Sequence, residues 1–154
     1  MLDSPEFERW QRAADDALTG AEAQREAGPA NWACFIAEQA AQLSCKGLLH
    51  GVGVEAWGQD LVDLGDRVSR TIGTDLEDDV ASALRRLSRH YIPARYPDAH
   101  PSGAPGAHYG RDDADQAIAD AERVLMAVRT AWDDLKAGMD DAARGPEGPS
   151  EGAT

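Results

Sequence analysis

Arginine and tyrosine alternate over a short stretch of the chain, where Arg85, Arg86, Arg89, His90, Tyr91, Arg95 and Tyr96 follow one another closely. A planar guanidinium engages phosphate oxygens two at a time, and a tyrosine ring offers a face on which a base can stack. Arg89 and Arg95 are therefore candidates to hold phosphate, with Tyr91 and Tyr96 placed to take a base. Competing local roles stay open. Arg85 and Arg89, one helical turn apart, suit ion pairs with acidic neighbours on a solvated face. Tyr91 also fits as a continuation of an apolar helix stripe, and Asp98 fits a turn or a partner for Arg95.

This basic patch sits in an acidic chain, with 28 Asp and Glu against 15 Lys and Arg and a formal net charge of -13. Such a balance argues against sequence-independent binding to duplex DNA, which needs a broad basic footprint to release counterions. The four histidines (His50, His90, His100, His108) show no ligand-type pairing and there is no CxxC, so neither a metal nor another cofactor is called for. Cys34 and Cys45 lie about three helical turns apart on one predicted helix, which suits free core thiols. Phosphate loops, HExxH and GxSxG are absent. No apolar run reaches the roughly 18 residues of a membrane span and the N-terminus does not read as a signal peptide, so a cytoplasmic location is expected.

The elements that must position these residues are helical. Alternating β-branched runs are missing and five helical segments follow from periodicity, which predicts an all-α, up-and-down bundle of four main helices plus one shorter one. The first runs from Ser4 as N-cap, with Pro5 at N1, to about Ala27, burying Phe7, Trp10, Ala14, Ala17 and Ala21. Gly28-Pro29 starts a central second helix with Trp32, Ile36, Leu43 and Gly47 on its buried face and small residues that allow close approach. The third spans about Gly58 to Ile72. A fourth follows a capping box at Thr74 and Glu77, carries Leu76, Val80, Leu84, Leu87 and Tyr91 on one face, and ends at Pro93. Residues 93–110 hold too many prolines and glycines for a helix, and loops of that length are often functional. The last helix starts near Asp112, where Asp112, Asp113 and Asp115 favour its N-terminal dipole, and carries Ile118 through Trp132, Leu135 and Met139 as its stripe. Residues 1–142 form the bundle in this reading. Residues 143–154, rich in Gly, Pro, Ser and Glu, are expected to be a disordered tail.

Several of these stretches resemble the HEPN family (higher eukaryotes and prokaryotes nucleotide-binding). In the second helix a Gln39-Ala40 pair is followed by Lys46 and the leucines Leu48-Leu49, and Gly58-Gln59-Asp60-Leu61-Val62-Asp63-Leu64 is similar to the start of the family's third helix. The most specific match is Tyr91-Ile92-Pro93-Ala94-Arg95-Tyr96-Pro97-Asp98, the Arg-Tyr-Pro-Asp stretch of one branch. A further match runs from Pro105 to Tyr109 into the acidic-capped last helix, which adds His108 to the ligand-binding candidates Arg89, Tyr91, Tyr96 and Asp98. The resemblance covers roughly residues 5 to 140.

What the resemblance implies is a nucleotide- or RNA-associated module, working as a homodimer in a toxin-antitoxin-like or minimal-nucleotidyltransferase-linked system. The chain lacks the Gly-Ser and spaced aspartates of the transferase itself, so a transferase would be its partner. Many members are metal-independent endoribonucleases with an Arg followed four to six residues later by a His, and Arg95 with His100 fits that spacing. There His100 would pass protons and Arg95 would steady phosphoryl charge, in a cleft built from two copies of the chain. A ligand-free dimerisation bundle is the third reading.

Overall fold

Small side chains decide the centre of the molecule. In the computed structural model, which describes residues 1–145, α2 (Ala30–Gly51) buries Ala33, Cys34, Ala37, Ala40, Ala41, Ser44 and Cys45 on a face with almost no bulk. Backbones can approach closely across such a face, and α1 (Ser4–Ala27), α3 (Leu61–Ile72), α4 (Asp78–Ser88) and α5 (Arg111–Arg144) all pack against it. The large residues assigned to that face flank it instead: Trp32 is exposed and Ile36 and Leu43 are half-buried, because helices already occupy the small-residue side. Gly47 and Gly51 allow close contacts, since a Cβ would lie 2.6 Å from the Trp10 Cβ at the first and 2.7 Å from the Trp132 ring at the second. One buried polar lock accompanies the apolar packing, with Gln11 donating to the Ser44 carbonyl at 3.0 Å and accepting from the Ser44 hydroxyl at 2.8 Å.

The described residues contain five α-helices, two 3-10 turns (Pro97–Ala99 and Pro105–His108) and no strand, as the sequence periodicity predicts. Helix termini differ in detail. Asp3, not Ser4, caps α1 by accepting from the Glu6 amide, which lets Ser4 and Pro5 enter the first turn. Gly58 adopts φ +96°, so α3 begins three residues later, where Asp60 accepts from the Val62 and Asp63 amides. The Thr74–Glu77 capping box does not form. Ser69 instead accepts from the Leu76 amide, and Glu77 stands at the cap position without a side-chain bond.

α4 stops at Ser88, and residues 89–95 form a chain of turns, so Tyr91 does not extend its stripe. α5 starts at Arg111, with the Asp113 carboxylate accepting from the Gly110 amide at 2.8 Å, and Asp112 sharing its first turn. It runs to Arg144, and Met139 on its last turns is exposed. The expectation for the tail falls mostly on residues 146–154, which lie outside the described residues. Cys34 and Cys45 are free and buried, and burial pushes both thiols up to about 12, which makes them core residues rather than nucleophiles.

Candidate functional site

Arg95 is held by rings on three sides. Its guanidinium carbon lies 4.5 Å from the Phe35 ring centroid, 4.4 Å from Tyr91 and 4.9 Å from Tyr96. Stacking of this kind orients a guanidinium without neutralising it. The Nε–H donates to the Tyr91 carbonyl at 2.8 Å, while the two terminal nitrogens make no hydrogen bond or ion pair among the described residues. A half-buried, aromatic-clamped arginine thus presents its two-nitrogen edge unspent. Asp98 does not bond it. That residue is exposed in the Pro97–Ala99 turn, where a local turn role suffices.

A buried side chain ties the clamp's backbone to α2. Asn31, buried at the start of α2, donates to the Ala94 carbonyl at 2.9 Å and so fixes the backbone immediately before Arg95. Its Oδ1 is buried without a partner, close to the position where a Cβ on Gly106 would stand. Phe35 and Trp32 extend the aromatic surface along α2, their rings meeting edge to face at 6.1 Å, with Trp32 and Tyr96 both exposed. Neither α2 ring was among the sequence candidates. Their three-residue spacing, which puts both on one helix face, was the available signal.

His100 and His108 come together. Their rings stack at 4.2 Å with an interplanar angle of 6°, and Tyr109 meets His100 edge-on at 6.4 Å. His100 Nε2 lies 2.6 Å from the Pro93 carbonyl and His108 Nε2 2.6 Å from the Ser102 carbonyl. A carbonyl only accepts, so each Nε2 carries the proton and each Nδ1 keeps the lone pair when the ring is neutral. His90 Nδ1 pairs with the Tyr109 hydroxyl at 3.3 Å. Burial pushes the His90 imidazole down and the Tyr109 phenol up to about 12, so this pair stays neutral and structural near pH 7. Beside this cluster the Pro105–His108 turn packs on α2, with Gly106 against Asn31 and Pro29.

The remaining arginines divide. Arg86 is committed to the buried Asp120, donating from Nε at 2.9 Å and from Nη2 at 2.7 Å. Arg85 donates to Ser82 on the same helix. Arg89 is exposed and makes no side-chain hydrogen bond or ion pair among the described residues, so it and Arg95 remain available to an anion.

Below the clamp, Glu38 is fully buried on α2, accepting from Gln42 at 2.5 Å and Gln39 at 2.8 Å. Burial pushes its carboxyl above the ordinary range, against the opposing pull of those hydrogen bonds and of the Arg95 and Lys46 charges. A raised folded-state pKa means that its contribution to stability is full below the unfolded value and is lost as pH rises through the folded one. Urea unfolding of the wild type and Glu38→Gln across pH 4 to 8 should show the wild type losing ground to the variant as pH rises. A gap independent of pH would contradict the assignment.

No helix among the described residues is long and apolar enough to cross a membrane, and no group of His, Cys, Asp or Glu there is arranged to hold a metal. A search of curated protein sequences returns no match. Similar solved structures include the following three. A protein from Thermus thermophilus is 36% identical, with 82% of this chain and 98% of that one covered and a TM-score of 0.77. An archaeal HEPN homologue is 32% identical over 81% of this chain and 96% of that one, TM-score 0.68. An HEPN domain protein from Thermotoga maritima is 29% identical over 83% and 98%, TM-score 0.62. The HEPN domain profile itself matches residues 7–132, from the buried Phe7 of α1 to the Trp132 ring stacked on it, and the chain therefore belongs to the HEPN domain family.

Proposed function

We propose that the chain is an HEPN-type nucleotide- or RNA-associated module in which Arg95 takes a phosphate and the exposed rings of Tyr96 and Trp32 take a base. The observation that carries this reading is the guanidinium clamped by Phe35, Tyr91 and Tyr96 with its terminal nitrogens unbonded. Fixing the fork in advance lowers the ordering cost of phosphate binding, and Arg89 adds a second cation nearby in sequence. The module works as a homodimer within a toxin-antitoxin-like or nucleotidyltransferase-linked system. The resemblance supports that context.

A second reading, metal-independent RNA cleavage by Arg95 and His100, has one specific observation in its favour. The Pro93 carbonyl fixes His100 in the tautomer whose Nδ1 can accept a proton. One assay separates the readings: a short single-stranded RNA is incubated with the protein in chelator, and binding is measured in parallel. As a binding module, the wild type leaves the RNA intact, Arg95→Ala weakens binding about ten- to hundredfold, and His100→Ala changes it little. Cleavage abolished by both substitutions would establish the enzyme. Neither binding nor cleavage would leave the dimerisation bundle.

A further inference from the structure

A groove of about 590 Å3 runs between the α3–α4 connection and the middle of α5, sharing no residue with the Arg95 clamp. Its floor is apolar, built by Leu76, Val80, Ala127 and Leu135, and Met126 stands beside it 71% exposed. An unbranched, polarizable side chain left in water next to an apolar trough is the kind of surface that moulds itself to a partner. The rim is acidic, with Asp75, Glu77, Asp79 and Asp134. Arg123, the cation of the lining, is already engaged by Asp79 at 3.3 Å and Asp120 at 3.5 Å.

Part of the α5 wall lies beyond the residues that the family profile matches. The HEPN match ends at Trp132, whereas α5 continues to Arg144, and Asp134 and Leu135 of that continuation line the groove. We propose that this groove docks a basic amphipathic helix of a partner protein, whose apolar face fills the trough while its Lys or Arg side chains meet the acidic rim. Charge complementarity selects this occupant. A second copy would bring a chain of net charge -13 and set one acidic rim against acidic surface, which costs affinity. Residues 146–154 read Pro-Glu-Gly-Pro-Ser-Glu-Gly-Ala-Thr, with neither a cation nor a large apolar side chain to offer. A helix that presents leucines at i, i+3, i+4 and i+7 with lysines on its flanks satisfies both floor and rim.

The test uses the full chain and two labelled amphipathic helical peptides of about 18 residues with that spacing, one built from Leu and Lys and the other from Leu and Glu. Fluorescence anisotropy should show binding of the Leu/Lys peptide only. Met126→Ser and the rim reversal Asp75→Lys with Asp134→Lys should each weaken it about tenfold or more. An equal reversal on α1, Asp16→Lys with Glu22→Lys, should change it less than about threefold, since neither residue lines the groove and each acts only through the screened overall field. Circular dichroism confirms that each variant is folded. Failure of the Leu/Lys peptide to bind, equal binding of the Leu/Glu peptide, or equal losses from the two reversals would overturn the proposal. So would Met126→Ser converting a dimer into a monomer, which would assign the groove to a second copy.

Discussion

Trp132→Ala should destabilise the protein by about 3–5 kcal/mol, the largest loss expected from any single truncation in the core. The ring is 2% exposed and stacks on Phe7 at 4.2 Å with planes 6° apart, which joins α5 to α1. It also fills the notch that Gly51 leaves on α2, where even a methyl group would stand 2.7 Å from the ring. Removing it opens a cavity that three helices line and none can close without moving the others. Domains of this size are stable by only about 5–15 kcal/mol, so the variant approaches the unfolding threshold. Urea titration followed by far-ultraviolet circular dichroism measures the loss. A cost below about 1 kcal/mol would show that the three-helix junction is not packed as described.

The second large effect concerns the buried carboxylate of Asp120, 1% exposed, which takes two hydrogen bonds from Arg86 and one from Gln116 at 3.0 Å. Arg86→Ala strips the carboxylate of its principal counter-charge while leaving it inside. Breaking a buried pair from one side costs about 3–5 kcal/mol, and because Arg86 is itself 41% exposed, water can partly replace it and about 2–3 kcal/mol is expected. The double variant Arg86→Ala with Asp120→Ala should cost less than Arg86→Ala alone, since no charge is then left unpaired in the interior. Denaturant unfolding of both variants decides this. A double variant no more stable than Arg86→Ala would mean that the pair contributes through packing rather than charge.

The Arg86–Asp120 pair also marks where the sequence stops being legible. Arg86 reads as one more member of a basic patch, because the 34 residues separating it from Asp120 conceal the contact between α4 and α5. The helices themselves are readable from local signals. Leu61, Leu64 and Val68 recur at helical spacing and are all buried, and the break at Gly73 is where the structure places a left-handed C-cap. Caps resist prediction where two polar residues compete, as Asp3 and Ser4 do, or where the turn takes another route, as Ser69 does in place of Thr74.

Which face of α2 is buried is harder still. Bulk points to Trp32, yet a helix packed on several sides hides its alanines and pushes large rings to the margin. One of those marginal rings, Phe35, forms the α2 side of the clamp. Arg95 was legible as a candidate from type and context, whereas Phe35, sixty residues away in sequence, could be assigned to it only from the folded chain. The stacking of His100 on His108 was hidden for the same reason, although both lie in one proline-rich loop.

A thermodynamic cycle shows whether Arg95 binds phosphate, as the proposed function requires. Binding of adenosine and of adenosine 5'-monophosphate is measured by titration calorimetry with the wild type and with Arg95→Ala at fixed ionic strength. The phosphate should improve binding to the wild type about tenfold or more, and that advantage should shrink to about twofold or less in the variant, while adenosine itself binds both alike. A phosphate advantage of the same size in both proteins would show that the clamped guanidinium is not where the anion binds.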